Sequence, residues 1–156
     1  MKIRWIDAMD AFSHGGYIDL ETMHYIAPKW FSDLCPENDT GLSESDYEEI
    51  AKSPERYLRV PIFRMCGIRC IAAIEMGMTR DELIRLGMKK KEYWDVFLPD
   101  NCDGSSICNN EEWNVKKSID EYMIEHHKFL DFNKRYTQLL DIQISEWLNK
   151  YGIQLY

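Results

Sequence analysis

Four carboxylates fall early in the chain, at Asp7, Asp10, Asp19 and Glu21. Gathered at a cleft, such groups can divide acid and base roles, provided their surroundings hold their protonation apart. Their spacing implies no His or Lys partner, and an acidic surface accounts for them equally well. Cysteines and histidines are the other reactive residues. Cys66 and Cys70 share one helical face, but in the most apolar stretch of the chain, where a thiol acts as a small hydrophobe. Cys102 and Cys108 are spaced more widely than the C-x₂₋₄-C pairs of zinc sites. His126 and His127, being adjacent, point about 100° apart on a helix. His127 and Asp131 stand one turn apart, as a surface pair does. Asp100-Asn-Cys-Asp-Gly104 has the composition of a calcium loop. With its glycine in sixth place, however, Pro99 comes first and Asn110 last, where that loop needs an acid and a glutamate. No metal and no cofactor is expected. The chain contains no G-x-S-x-G, P-loop, H-E-x-x-H or glycine-rich dinucleotide signature, and the expectation is that it is not an enzyme.

A second pattern concerns nucleic acid. Ala73 precedes Gly77 by one helical turn, Thr79 follows the turn, and Leu83 and Leu86 sit where a second helix would pack, as in a helix-turn-helix. Thr79, Arg80 and Arg85 would face the duplex, and Lys89, Lys90 and Lys91 the phosphates. Phosphate contacts supply most nonspecific DNA affinity, and this chain carries a net charge of −8. DNA binding through residues 64–91 is therefore the alternative, not the first reading.

The densest functional pattern is acidic and aromatic. Trp30, Phe31 and Tyr47 stand among Asp33, Glu37, Asp39, Glu44, Asp46, Glu48 and Glu49. Carboxylates at this density imitate a phosphate backbone. The expected partner is another protein with a basic, nucleic-acid-handling surface, met as small phage-borne inhibitors meet bacterial defence enzymes. An acidic surface kept for solubility is the plain counter-reading. A ligated ion or a substrate-sized cavity amid these acids would count against the binding role.

The elements that must position these residues follow from pattern. With 156 residues, 45% hydrophobic and 29% charged, the chain reads as one ordinary globular domain, 1–156. Within it, 1–61 form an α/β hairpin part and 62–156 a helical part. Residues 1–60 carry 6 basic and 12 acidic side chains, 61–98 carry 7 and 5, and 99–156 carry 6 and 10. The charged start, Lys-Ile-Arg-Trp-Ile-Asp, builds no secretory h-region, and five cysteines in unrelated contexts fit reduced thiols, so a cytoplasmic, non-membrane protein is expected.

Ile62–Met78, apolar at twelve of its seventeen positions, predicts a helix covered by its neighbours and too short to span a membrane. Ile3, Ile6, Met9 and Phe12 predict an opening helix stopped at Gly15-Gly16. Alternation over Tyr17–Thr22, then Met23–Ala27, predicts a hairpin turning near Glu21–Met23. Cys35–Gly41 is a loop. Ser43 and Ser45 offer an N-cap, Ser45–Glu48 fits a capping box, and the short helix ends at Ser53-Pro54. Tyr57–Pro61 predicts an edge strand pairing with the hairpin. Thr79–Glu82 caps a helix ending at Gly87; Lys89–Phe97 reads as another, with Tyr93, Trp94 and Phe97 inward; Leu98–Asn110 is a loop. From Glu111 the chain reads as helical, with a break near Asp131–Lys134 and a stop at Gly152. The class is α+β, a small antiparallel sheet packed on a mainly helical body.

Two phrases, Tyr17-Ile-Asp-Leu-Glu-Thr22 and Pro54-Glu-Arg-Tyr-Leu-Arg-Val-Pro61, resemble paired signatures of a family of small uncharacterised bacterial proteins. Glu146–Ile153 is similar to that family's final helix, and the middle of the chain has no counterpart. The resemblance implies an α+β fold and no activity.

Overall fold

The computed structural model describes residues 1–34, 36–63, 65–94, 97–98 and 110–156. In chain order the elements are β1 (Lys2–Ile3), α1 (Trp5–His14), β2 (Gly16–Asp19), β3 (Tyr25–Ile26), α2 (Lys29–Leu34), α3 (Glu44–Ala51), β4 (Tyr57–Val60), β5 (Ile62–Phe63), α4 (Met65–Glu75), α5 (Arg80–Leu86), β6 (Phe97–Leu98), α6 (Asn110–Glu125), α7 (Phe129–Asn149) and β7 (Gln154–Leu155). Short 3₁₀ turns cover Pro36–Asn38 and Lys91–Trp94. Helices dominate and β3-β2-β4 form a small antiparallel sheet, the α+β class. Among the described residues no helix is long and apolar enough to cross a membrane. Contacts divide the chain into two compact units. One contains Met1–Phe63 and Ile144–Tyr156; the other lies within Arg64–Phe97 and Ile107–Gln143.

The first unit is built around α1 and the sheet. Ala8, Ala11 and Phe12 recur at helical spacing and are buried, and Phe12 stacks on Phe63 with ring centroids 4.6 Å apart. Trp147 meets the Phe12 ring edge-on at 5.3 Å. Ile3 does not belong to this helix. It sits in β1, fully buried, where β1 runs parallel to β7 with Lys2 opposite Gln154 and Ile3 opposite Leu155. Ile6, counted inward by periodicity, is 58% exposed.

α1 ends at Gly15 (φ 76°), and Gly16 (φ 106°) opens β2. Both values suit glycine. A Cβ at Gly16 would lie 2.4 Å from the Ile26 carbonyl oxygen, so the hairpin requires glycine there on two counts. β2 pairs with β3 through Tyr17–Ile26 and Ile18–Tyr25, and with β4 from Gly16–Val60 to Asp19–Tyr57. The hairpin turn and the edge position of β4 follow the sequence pattern. Tyr17–Thr22 and Pro54–Pro61 are thus neighbours in one sheet.

Two features here differ from expectation. α2 forms from Lys29–Leu34, where no helix was expected. The capping box of α3 is made one step earlier than Ser45–Glu48: Ser43 accepts from the Asp46 N–H at 3.2 Å, while Asp46 accepts from the Ser43 N–H at 2.9 Å. Aspartate reaches back as glutamate does, and the earlier serine wins because it stands directly outside the first helical turn.

The second unit centres on α4, with Cys70, Ala72 and Ala73 packed against Leu83 of α5, Val115, Ile119 and Met123 of α6 and Phe132 of α7. The helix is shorter than the apolar run, because Ile62 and Phe63 are extended. Ile71 and Ile74 remain 36% and 41% exposed, so α4 is covered on most sides but not all. Thr79 caps α5 by accepting from the Glu82 N–H at 3.1 Å, and Gly87 (φ 136°) closes it. Lys89–Phe97 is not one helix: it holds a 3₁₀ turn and then a strand. Trp94 is half-buried, its indole N–H donating to the Met88 carbonyl at 3.0 Å. The side chains of Tyr93 and Phe97 lie outside the described residues. The C-terminal helical region breaks at His126–Lys128, with His127 at φ 56°, and not at Asp131–Lys134. Lys128 fixes this corner by donating to the Met76 carbonyl at 2.7 Å.

Candidate binding cleft

α1 carries Asp7 and Asp10 one turn apart, at the margin of its buried stripe. Strand alternation brings Asp19 to the same place, and the loop before α3 adds Asp39. These four aspartates line a concavity of about 620 Å³ in the first unit, together with His24, Tyr25, Thr40, Leu42, Ile50 and Tyr57 among others. Glu21, the fourth early carboxylate, stays outside the lining and pairs with Arg56 at 3.3 Å. A substrate-sized cavity therefore does lie amid the acids. Such a cavity counts against the binding role expected from the sequence, because a concavity with titratable groups is also what an enzyme would show.

The lining carboxylates are not equivalent. Arg4 holds Asp7 through two bonds, at 2.8 and 3.1 Å. Asp39 accepts from the Gly41 N–H at 2.9 Å and from the Ser32 hydroxyl at 3.4 Å. Asp19 is buried, which by itself would push its carboxyl up. The Arg56 guanidinium at 3.2 Å and the Glu21 N–H at 3.0 Å outweigh that and hold it below the usual carboxylate range. Asp10 is the exception. Its carboxylate makes no hydrogen bond or ion pair among the described residues, and His14 contacts only its backbone carbonyl, at 3.0 Å. Partial burial pushes Asp10 up, His14 offsets part of this, and Asp7 adds to the push. A half-buried charge with no hydrogen bond or ion pair among the described residues, eased only in part by His14, is a liability to the fold and a resource to a ligand.

The acidic residues singled out on sequence continue from this cleft. A smaller depression of about 320 Å³ shares Leu42, Ile50 and Tyr57 with it and adds Asp46, Glu49, Glu55 and Arg56. Glu44, Glu48 and Glu49 are exposed along α3, and Glu37 along the 3₁₀ turn before it. Other members of the set have internal work. Asp46 caps α3, and Asp33 pairs with Lys29 at 2.8 Å. Tyr47 donates to the Ala27 carbonyl at 2.7 Å and bonds the Thr40 hydroxyl at 2.8 Å, which holds the cleft's loop in place. Trp30 and Phe31 are half-buried, and His14 stacks on Phe31 with centroids 3.8 Å apart. They brace α1 against α2 and are not free anchors.

The residues of the helix-turn-helix reading lie in the second unit. The turn between α4 and α5 contains Gly77 (φ 112°), as that motif requires. Thr79 is occupied as a cap. Arg80 lies 4.5 Å over the Trp94 ring, and Arg85 lines a concavity with Glu82, Glu121 and Glu125. Lys89, Lys90 and Lys91 are exposed. Glutamates around Arg85 oppose a phosphate backbone.

Among the described residues, no group of three or more His, Cys, Asp or Glu is placed to hold a metal ion. The His127–Asp131 pair is lost because His127 sits in the left-handed break and not on the helix. Cys66 and Cys70 are buried thiols in no disulfide, and burial pushes Cys70 up to about 12, where a nucleophilic thiolate does not form at neutral pH. Cys102, Cys108 and the Asp100–Gly104 turn lie outside the described residues. Sequence reading weighed Asp7, Asp10 and Asp19 only as catalytic candidates. The i, i+3 spacing of Asp7 and Asp10 was the signal that they share a face. No protein-family model, no curated protein and no solved structure matches the chain.

Proposed function

We propose that this is a non-catalytic binding protein whose acidic first-unit face engages a basic partner protein, with the Asp10 cleft receiving one of the partner's cationic side chains. One observation carries the reading: the half-buried Asp10 carboxylate, with no hydrogen bond or ion pair among the described residues, inside a concavity lined by three further aspartates. A lysine or arginine entering there gains a charge-assisted hydrogen bond and relieves the repulsion between Asp10 and Asp7. Tyr25 and Tyr57 offer aromatic surface to the alkyl stem of the same side chain. The exposed carboxylates of α3 extend the field outward and favour a partner built to hold phosphates, such as a nucleic-acid-handling protein in a reducing cytoplasm. Inhibition of such a partner by occupying its channel is the form this binding would take.

Calorimetric titration with a short lysine-rich peptide, and with its glutamate-rich counterpart, tests the reading. The basic peptide binds, with affinity falling steeply as salt is raised from about 0.05 to about 0.5 M. Equal binding of the acidic peptide, or affinity indifferent to salt, would refute it. So would covalent change of the bound peptide, which would assign the cleft to catalysis.

A further inference from the structure

The second unit contains a small, partly open slot of opposite character. Met65, Cys66 and Arg69 of α4, Trp113 and Lys116 of α6, and Tyr136 of α7 surround about 210 Å³. At ~30 Å³ per water this is room for about seven waters, or a body of one ring. Its walls are a thioether, a thiol and two aromatic rings, and its polar groups are few, the pattern of small-molecule pockets.

The two cations of the slot differ in what already satisfies them. Arg69 is fully engaged: Nη1 donates to Asp120 at 3.2 Å, and the guanidinium lies 4.5 Å from the Tyr136 ring centroid. Asp120 balances its charge. Lys116 has no such balance. Its ammonium rests 4.7 Å from the Trp113 ring centroid and makes no ion pair among the described residues. Glu112, one turn before Lys116, is buried beside Cys70 and is absent from the lining. Trp113, whose ring carries Lys116, is 57% exposed, an unusual place for the largest apolar side chain unless something covers it. The slot therefore offers apolar walls, one uncompensated positive charge, and an aromatic rim.

We propose that this slot binds a small aromatic carboxylate, its ring seated against Met65, Cys66 and Tyr136 and its carboxylate paired with Lys116. The proposal stands apart from the basic-partner reading: it uses another unit and the opposite charge.

Titration of ¹⁵N-labelled protein with benzoate, benzyl alcohol and benzylammonium provides the test. Benzoate moves the Trp113 indole N–H signal saturably. Benzyl alcohol binds at least about tenfold more weakly, the loss expected of one charged hydrogen bond, and benzylammonium leaves the signal in place. Lys116→Met weakens benzoate by a similar factor with the rest of the spectrum unchanged, and Lys116→Arg restores most of the affinity. A Trp113 signal that does not move, or that moves alike with all three compounds, overturns the proposal. Benzoate affinity untouched by Lys116→Met overturns it as well. The three-compound comparison needs no variant, so it decides the matter even if Lys116→Met disturbs the fold.

Discussion

Asp10 and Asp19 are carboxylates in one cleft that respond to pH in opposite ways. Burial raises Asp10, so its ionised form costs the fold stability at neutral pH. That cost vanishes as pH falls below the ordinary value of 3.8, where the carboxyl is neutral folded or unfolded. Asp10→Asn therefore raises Tm at pH 7, with the gain shrinking toward pH 3, and thermal melts across that range check it. Asp19 is held low by Arg56 and the Glu21 N–H against its burial, so its contribution is present above 3.8 and lost as pH falls through its lowered folded value. Asp19→Asn should destabilise at pH 7 by about 1 kcal/mol, below the usual range for a charged hydrogen bond because Arg56 is 42% exposed and solvent screens the pair. The variant should also lose less stability on acidification, as denaturant titrations at pH 7 and pH 3 would show. At this scale the sequence showed which acids are numerous, but not which are unpaired. Asp33, Asp39 and Asp46 look alike in a charge count, and only their separate partners (a lysine, a turn amide, a helix cap) distinguish them from Asp10.

The elements were legible where a local rule decides them. The hairpin, the edge strand, the Thr79 cap and the Gly87 stop all follow from alternation, proline, capping and glycine chemistry read within a few residues. Elements set by distant partners were not. α2 is six residues long, too short for periodicity to declare, and its Phe31 is held by His14 of α1. Ile3 looks helical by spacing but pairs across the whole length of the chain with β7. The break before α7 carries neither Gly nor Pro, because Lys128 and the left-handed His127 make the corner. Gly16 tests how far the hairpin depends on its backbone. Gly16→Ala meets both a positive φ and the Ile26 carbonyl, so a loss of more than about 2 kcal/mol is expected, read from chemical denaturation. Gly41→Ala has open space around it, and with only its positive φ to oppose the change it should cost less.

At the scale of the molecule, the two units divide charge as well as contacts. The acidic first stretch folds with the C-terminal residues 144–156, and the segment of positive balance falls almost wholly in the second unit. α7 continues through Ile144, which is why the apolar spacing around Leu140, Ile144 and Trp147 gave no sign of a boundary there. The acidity concentrated in residues 1–60 was plain from composition. The concavity within it was not, because a cleft is made by residues far apart in sequence. A double-mutant cycle addresses the central claim most directly, pairing Asp10→Asn with replacement of each lysine of the basic peptide by norleucine, one at a time. The account predicts that one lysine couples to Asp10 by at least about 1 kcal/mol, while Asp10→Asn alone weakens wild-type peptide about tenfold. If every lysine proves additive with Asp10→Asn and the variant binds as tightly as the native chain, the cleft is not the socket and the account is wrong.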